Sequence, residues 1–458
     1  MKKIVLPKHV KLIIDILEQN GFEGYAVGGC VRDCILGREP KDWDIITNAL
    51  PQQVKALFNR TIDTGIKHGT VTVMMNHIGY EVTTYRIDGE YEDGRHPKEV
   101  LFTPSLIEDL KRRDFTINAM AYNDRNGVVD EFGGINDLDA GIIRCVGNAH
   151  DRFSEDALRM MRAVRFAAEL GFTIEDNTRK AIKELSGNLS LISAERIRVE
   201  LEKLIVSDNP GMIRDAYELG ITGIVFSEFD AMMNTPQNSP YHCLNVGEHT
   251  IAVMENIEKD KVLRLAALLH DIGKPKSHTT DSDGIDHFHG HEEIGADMAR
   301  VILRRLRYDN KTTEAVVKLV KYHDYPLCAD EVVIRKSMNR IGMDIYKSYL
   351  SLRDADLEGK SEYSREINKT LFEDIYKVYE EVMKQNRIIE ICANSAQSCV
   401  EAEMGGAKRV ELCAGIPEGG TTPSYGEIRM AQKLTSKIDI NVIIRPRGGD
   451  FLYTPAEI

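Results

Sequence analysis

Residues 28–45 read GGCVRDCILGREPKDWDI. Two glycines open a short helical stretch that Gly37 stops, and Asp42 and Asp44 then flank the one tryptophan of the chain. Upstream, YAVGG reads as a short strand running into the glycines, and downstream DWDIIT reads as another strand. Side chains at i and i+2 of a strand share a face, so Asp42 and Asp44 are expected to project together. Adjacent carboxylates repel unless a cation lies between them, and Mg²⁺ is a hard ion suited to such oxygen ligands and to substrate phosphates. Without Cβ atoms, Gly28 and Gly29 let backbone N–H groups approach an anion at the start of a helix. Arg32, one turn in, can add charge-assisted bonds to a phosphate. Glu81, in GYEVTTYR, is the candidate third acid on a neighbouring strand. Asp-x-Asp alone is common at solvated edges and turns, and Gly-Gly before a helix is ordinary. The order and spacing of the whole set point to nucleotidyl transfer.

Around this centre the first 105 residues alternate strand and helix. Residues 7–20 carry Val10, Ile13, Ile14 and Leu17 at helical spacing, PQQVKALF starts a helix at Pro51, and GTVTVMMN and YEVTTYR suggest a hairpin. Residues 88–99 form a polar, glycine-rich loop. From about 106 to 380 nearly every segment reads as helix, apart from the strand-like GVVDEF and GIIRCVG. From about 387 the pattern becomes β-α-β-α-β, of parallel-sheet type.

The 458 residues allow two to four domains. No apolar run approaches the ~20 residues of a membrane span, and the N-terminus lacks the form of a signal peptide. A cytoplasmic location with no membrane partner follows as the expectation. The eight cysteines include no C-x-x-C pair and read as reduced thiols. A net charge of −13 argues against a wholly basic nucleic-acid-binding surface but not against a local track. One candidate track runs through Arg300, Arg304, Arg305, Arg307, Lys311, Lys318 and Lys321; an ordinary solvated helix face is the equal alternative.

GGCVRD, KDWDI, RRDFTINAMAY, DEFGGINDL, EDALRMMRAVRFAAELGF and SAERIRVELEKLI follow in this order to about residue 225. In them the chain resembles class II tRNA nucleotidyltransferases, the bacterial CCA-adding enzymes and poly(A) polymerases. The resemblance implies an α/β head of the polymerase-β nucleotidyltransferase type, residues 1–145, followed by an all-α neck and body, 146–235. It implies Asp42 and Asp44 as Mg²⁺-binding catalytic carboxylates, and Gly29 and Arg32 as nucleotide contacts beside Gly28. It implies that Arg113 and Asp114 hold the nucleotide and sense its ribose. Asp156, Arg159, Arg162 and Arg165 match the neck-helix residues that bind the incoming nucleotide, the first two reading the base. Their three-residue spacing places neighbours along one helix; taken alone it also fits a salt-bridged helix face. An Asp/Arg pair can accept the amine and satisfy the acceptor that cytosine and adenine share. The implied activity is template-independent CCA addition to tRNA from CTP and ATP by two-metal chemistry. The loop EYEDGRHPKEV resembles one kept by members that incorporate A, and poly(A) synthesis or partial CC or A addition are the alternatives. A catalytically dead RNA-binding scaffold is opposed by the intact acid pair.

A second constellation follows: His249 in NVGEHT, His270 and Asp271 in LLHDIGKP, His289 and His291 in FHGHEEIGA, His323 in VKYHDYP, and Asp354 and Asp356 in RDADLEG. This stretch resembles the HD superfamily of metal-dependent phosphohydrolases, which implies a helical domain over 236–386. His249, His270, Asp271 and, less directly, Asp356 match its metal ligands, with Asp354 one step away. His291 and His323 fit a two-metal variant. A divalent transition ion or Mg²⁺ activating water is the implied chemistry. An HD phosphohydrolase with a regulatory nucleotide-binding head is therefore the competing reading. Finally IEICANSAQSCVEAEMGGAKRVELC, EGGTTPSYGEI and VIIRPRGGDFLY, within 387–458, resemble the opening of the CutC copper-homeostasis family. They imply a partial (β/α) barrel with open edges, poorly folded without more chain or a partner. It takes the place of the helical tail with which the nucleotidyltransferase family grips the tRNA elbow. Cys392 and Cys413 end candidate strands, where core packing is favoured over a copper contact.

Overall fold

The four apolar residues spaced for one face, Val10, Ile13, Ile14 and Leu17, are all buried on α1 (Lys8–Gln19). The computed structural model describes residues 4–88, 100–386, 390–418 and 420–445. Strand β1 (Gly24–Val27) leads through Gly28 into α2 (Gly29–Ile35), and β2 (Asp44–Thr47) returns before α3 (Pro51–Leu57). Strands β3 (Thr61–Gly65), β4 (Thr70–Met75) and β5 (Ile78–Thr84) follow, with Asn76 and His77 turning the β4–β5 hairpin at φ 46° and 69°. Two consecutive residues at positive φ are what a tight hairpin turn matching strand twist requires. Beyond the small β6 (Arg86–Asp88) and β7 (Val100–Phe102) pair come α4 (Leu106–Lys111), β8 (Ala121–Asn123) and β9 (Gly127–Val129). The main sheet has the order β3-β4-β5-β2-β1-β8-β9.

Two details differ from the sequence reading. Ala121–Asn123, inside a region expected to be helical, is a strand against β1, because AYN is fully buried in the sheet. The acid pair does not share a strand: β2 begins at Asp44, and Asp42 lies in the approach to it. Residues 89–99, which hold most of the loop read as a family feature, lie outside the described residues.

The helical part opens with α5 (Gly134–Ala140), β10 (Ile142–Ile143), α6 (Ala149–Glu155), α7 (Leu158–Leu170), β11 (Thr173–Ile174), α8 (Asp176–Leu185) and α9 (Ala194–Ile205). Short helices α10 (Ile213–Glu218), α11 (Thr222–Val225) and α12 (Ser227–Met233) lead to α13 (Val246–Glu255) and α14 (Lys261–Leu269). After α15 (Lys274–Ser277) and the β12 (Thr279–Thr280) and β13 (Asp286–His287) hairpin come α16 (His291–Arg305) and α17 (Asn310–Tyr322). Asn245 and Asp260 cap α13 and α14 through their side-chain oxygens. The chain divides into two compact units, 1–325 with 341–369, and 326–340 with 370–458. The first also holds α19 (Tyr346–Glu358) and α20 (Glu362–Ile367). Among the described residues no helix is long and apolar enough to cross a membrane.

The second unit includes most of α18 (Glu331–Ile341), α21 (Leu371–Asn386) and a parallel sheet β14-β15-β16 (Glu390–Ala393, Arg409–Leu412, Asp439–Val442). Helices α22 (Ala396–Met404) and α23 (Tyr425–Leu434) make its crossovers, as the β-α-β-α-β pattern predicts. Five of the nine residues in its core cluster are alanines, so little apolar volume backs the sheet. Cys413 is buried and Cys392 exposed, their sulfurs 3.3 Å apart. All eight cysteines are free thiols.

Candidate active site and histidine centre

The β1–β2 register sets Asp44 opposite Val27, the residue before the glycines. The acid motif and the Gly-Gly turn therefore meet at one end of the sheet. Gly28 has φ +80°, and a Cβ there would meet the Arg113 Nη1 at 3.1 Å. The positive φ calls for glycine, and the Arg113 guanidinium packs close against the position. Burial raises the Asp44 carboxyl above its ordinary value; Arg113 pulls it down and Asp42 pushes it up. Asp42 is thus near enough to be felt even though the strand does not align the pair. Strand β5 runs parallel to β2 with Ile45 opposite Val82. One step back in that register, Glu81 neighbours Asp44, on the face opposite to the buried Ile45 and Val82.

Behind the turn lies a closed polar circuit. Arg32 Nη1 donates to Asn118 Oδ1 at 2.8 Å. Asn118 Nδ2 donates to Asp114 Oδ1 at 3.4 Å, and Arg162 Nε and Nη2 donate to Asp114 Oδ2 at 2.8 and 2.6 Å. Burial alone would raise the Asp114 carboxyl, but Arg162, Arg159 and the Phe115 N–H bring it to about 2. Arg113 is held by the fully buried Asp109, which also takes Arg112; the buried Arg113 Nε has no hydrogen-bond partner.

The base-reading residues do not lie on one continuous helix. Asp156 is extended, φ −142° and ψ 103°, between α6 and α7. Its Oδ1 accepts the Leu158 N–H at 3.0 Å, so the side chain caps the next helix rather than extending the last. Its Oδ2 accepts from Arg196 at 2.7 Å. Arg159 donates to Glu155 Oε2 at 2.6 Å and to the carbonyls of Arg152 and Arg112. Arg165 turns inward, its Nε 2.5 Å from Glu200 and its Nη1 2.7 Å from Glu169. Asp109, Asn118 and Arg196 escaped the sequence reading. Each lies inside a quoted motif or one helical turn from it, but nothing in the spacing says which acid or amide turns inward.

The second constellation converges more tightly. His249 comes from α13, His270 and Asp271 follow α14, His291 opens α16, His323 closes α17 and Asp356 lies on α19. All six are buried. His249 Nε2 is 3.0 Å from Asp356 Oδ1 and 3.4 Å from His270 Nε2. His291 Nε2 is 3.1 Å from His323 Nε2, and both are 3.5 Å from Asp271 Oδ1. Two ligand groups, His249-His270-Asp271 and Asp271-His291-His323, therefore share Asp271. Each Nδ1 faces a backbone carbonyl: Gly359, Ala267, Phe288 and Val320, at 2.7–3.0 Å. A carbonyl only accepts, so each Nδ1 carries the hydrogen and presents Nε2 to the centre. Nitrogen lone pairs facing one another beside carboxylates are an arrangement that a divalent cation relieves.

Lys274 Nζ lies 2.6 Å from Asp271 Oδ2, and Lys360 Nζ 2.8 Å from Asp356 Oδ2. Burial would raise both carboxyls, but the facing histidines and lysines hold them well below the carboxylate range. His270 is raised: burial opposes its charge, but Asp271 and Asp356 prevail. Neither His289 nor Asp354 joins the six. The centre opens on a cavity of ≈ 450 Å³ lined by Tyr241, His242, Lys274, Phe288 and Lys360. Four residues of the basic track lie in ion pairs, Arg300 with Glu314, Arg305 with Glu228, Arg307 with Glu195 and Lys321 with Glu293.

Four families match parts of the chain. The Poly A polymerase head domain matches residues 24–144, and the probable RNA and SrmB-binding site of polymerase A matches 171–233. The HD domain matches 241–356 and the CutC family 387–458. The chain is 52% identical over 218 residues to the CCA-adding enzyme of Lactiplantibacillus plantarum, covering 48% of this chain and 52% of that protein. It is 54% identical over 198 residues to the one from Limosilactobacillus reuteri, covering 43% and 49%. It spans about half the length of these curated relatives. Its structure is similar over 83% of both chains to the Bacillus stearothermophilus CCA-adding enzyme in complex with CTP, at 32% identity and TM-score 0.61. It shares its fold with the Thermotoga maritima CCA-adding enzyme complexed with tRNA, TM-score 0.54 at 18% identity, over 94% of this chain and 96% of that one.

Proposed function

The chain belongs to the CCA-adding enzyme family, and from that premise we propose that it adds CCA to the 3′ end of tRNA from CTP and ATP. The observation that carries the reading is Asp44 opposite the Gly28 turn, with Asp42 and Arg113 close enough to move its pKa. Asp42, Asp44 and Glu81 offer hard oxygen donors that fit Mg²⁺. When bound, such cations lower the pKa of an attacking hydroxyl and neutralise a leaving pyrophosphate. The RNA 3′-hydroxyl attacks the α-phosphorus; the new O3′–P bond forms as the bond to pyrophosphate breaks. Gly28 and Gly29 let the α2 backbone approach the triphosphate, and the unpartnered Arg113 Nε and Arg32 add donors to it. Asp114, kept ionised, accepts from the ribose. Asp156, steadied by Arg196, accepts the base amine, while Arg159 exchanges its carbonyl bonds for the ring acceptor. Arg162 adds a further cation to the triphosphate, and Arg165, paired with Glu200 and Glu169, supports the site electrostatically.

The parts are a head, 1–145, a neck and body, 146–235, an HD-type domain, 236–386, and a CutC-like segment, 387–458. The location is cytoplasmic. Incubating the protein with Mg²⁺, each nucleotide singly and tRNA lacking its terminus tests the reading. Two CMP then one AMP are expected. A run of AMP would indicate poly(A) synthesis, CC or A alone partial addition, and no incorporation would overturn the reading.

A second reading stands beside the first, because four Nε2 atoms and two carboxylates converge on one buried centre. His249, His270, Asp271 and Asp356 would hold one divalent cation and Asp271, His291 and His323 another. Bound there, the ions supply activated water for phosphoester hydrolysis. Lys274 and Lys360 each hold one oxygen of the two carboxylates; Asp356 keeps its Oδ1 towards His249, while Asp271 faces His270 with the Oδ2 that Lys274 holds and His291 and His323 with its Oδ1. Hydrolysis of 2′,3′-cyclic nucleotides with Mn²⁺ or Ni²⁺, abolished by Asp271→Ala, is the expected result; turnover indifferent to that change would end the hydrolase reading.

A further inference from the structure

Phe166 lies on α7 among the residues just described, and sequence spacing gave it no role. Its ring is buried. Three guanidinium groups gather around it. The Arg165 carbon is 3.8 Å from the ring centroid, that of Arg32 5.2 Å and that of Arg162 5.3 Å. All fall within the ~6 Å over which a cation is drawn to an aromatic face. Phe115 meets the same ring edge-on, centroids 5.8 Å apart and planes at 81°. The three arginines come from different places: Arg32 from the glycine helix of the sheet, Arg162 and Arg165 from the first long helix beyond it.

Each arginine also has its own anionic or amide partner: Asp33 and Asn118 for Arg32, Asp114 for Arg162, Glu200 and Glu169 for Arg165. Those partners fix each guanidinium at one end, while the ring is what Arg32 and Arg162 share. Nothing else named in the Arg32–Asn118–Asp114–Arg162 circuit touches both cations directly. Like charges around one aromatic side chain repel, and a negative quadrupole face between them offsets part of that repulsion in a water-poor site.

We propose that Phe166 is a positioning residue of the nucleotide site, its ring setting Arg32 of the head against Arg162 of the neck helix so that both meet one triphosphate. The inference rests on the nucleotidyl-transfer reading and adds a residue to it. It predicts that binding depends on the electron density of the ring and not only on its volume.

The test replaces Phe166 in the full chain by phenylalanines carrying one, two and three fluorines, which keep the shape and drain the π face. CTP and ATP affinities are measured with Mg²⁺ and no RNA. The dissociation constants should rise in steps with fluorination, to roughly tenfold for the trifluoro ring, at unchanged Tm. Phe166→Tyr should bind as wild type does, and Phe166→Leu should bind no better than the trifluoro ring. A flat fluorine series with wild-type affinity would overturn the proposal, whether or not the leucine variant folds, because it would show the ring acting by bulk alone. A wild-type protein that binds neither nucleotide would sink the nucleotidyl-transfer reading, and this inference with it.

Discussion

The acid pair of the sheet and the histidine centre of the helical part are both suited to divalent cations, but they are built in opposite ways. Asp42 and Glu81 are exposed, and neither the Asp42 nor the Asp44 carboxylate accepts a hydrogen bond among the described residues. In the histidine centre all six candidate ligands are buried, and each ring is locked by a carbonyl behind it. An open oxygen site leaves room for an ion to be shared with substrate phosphates. A closed nitrogen-rich site with fixed second partners keeps its ion. The contrast predicts a cation that arrives with the nucleotide at the first site and one that resides in the fold at the second.

The largest effect should come from the open site. Asp42→Ala or Asp44→Ala should lower CMP incorporation by roughly 10³-fold or more, as removal of a group that stabilises transition-state charge does. Stability should hold, with Tm within about 2 °C of wild type, because removing one of two repelling carboxylates costs the fold little. Single-turnover incorporation and a thermal melt check this together; near-normal incorporation would break the comparison at its first term.

The polar circuit behind the open site should show its effect in stability. Asp114 has a folded pKa of about 2 against an ordinary 3.8. A depressed carboxyl stabilises the fold above its unfolded pKa, and that contribution fades as pH falls from about 4 towards about 2. The gap amounts to about 2 kcal/mol. Arg162→Leu strands a buried carboxylate and should destabilise by about 3–5 kcal/mol at neutral pH. The difference from wild type should narrow near pH 2.5, where Asp114 of the variant is protonated. Urea unfolding at both pH values measures it; a difference independent of pH would mean that Asp114 is not the group being stranded.

How much of this the sequence foretold differs between the two sites. In the head, the glycine turn and the approach of the two acids to it follow from local signals, although Asp42 falls just before the strand expected to carry it, and β1, α2, β4 and β5 fall close to where periodicity put them. Of the failures in the head and neck, all but one are non-local. Ala121–Asn123 is a strand because the sheet buries it, which three residues of helix-neutral sequence cannot announce. Asp156 leaves the helix because its own side chain captures the Leu158 N–H, a competition that a three-residue spacing conceals. Asp109 and Arg196 matter through the partner they face, and that is fixed by tertiary packing. In the histidine centre the ligands were legible as residue types in order. The carbonyls behind them and the sharing of Asp271 were not, since both depend on how five helices meet. The two lysines joined the site for the same reason: Lys274 and Lys360 sit three and four residues after their acids, ordinary surface spacing until burial gives it meaning.

The closed site should respond to chemistry that spares the open one. Asp271→Ala removes the carboxylate that both ligand groups share and should leave the purified protein with less than half of the wild-type content of divalent transition metal. Elemental analysis after gel filtration and a short chelator wash reads this directly. Wild type should retain its metal through the wash, whereas Mg²⁺-dependent CMP incorporation should stop in chelator and return when Mg²⁺ is added back. Loss of both on the same wash would show that the two sites exchange ions alike, and the carbonyl locks would then explain nothing.

The smallest expected effect is the one that asks whether the sites are independent. Asp271→Ala should leave CMP incorporation within about twofold of wild type, since energies of groups with no shared partner usually add. Among the described residues no partner is common to the Arg32–Asn118–Asp114–Arg162 circuit and the Asp271 cluster: the first is tied through Phe166 and the glycine turn, the second through Lys274, Lys360 and the carbonyls of Gly359, Ala267, Phe288 and Val320. The reciprocal variant, Asp42→Ala, should keep the full complement of transition metal. A tenfold loss of incorporation in the Asp271 variant at unchanged Tm would mean that the helices around the histidine centre carry strain or motion to the head, and the two sites would have to be treated as one machine.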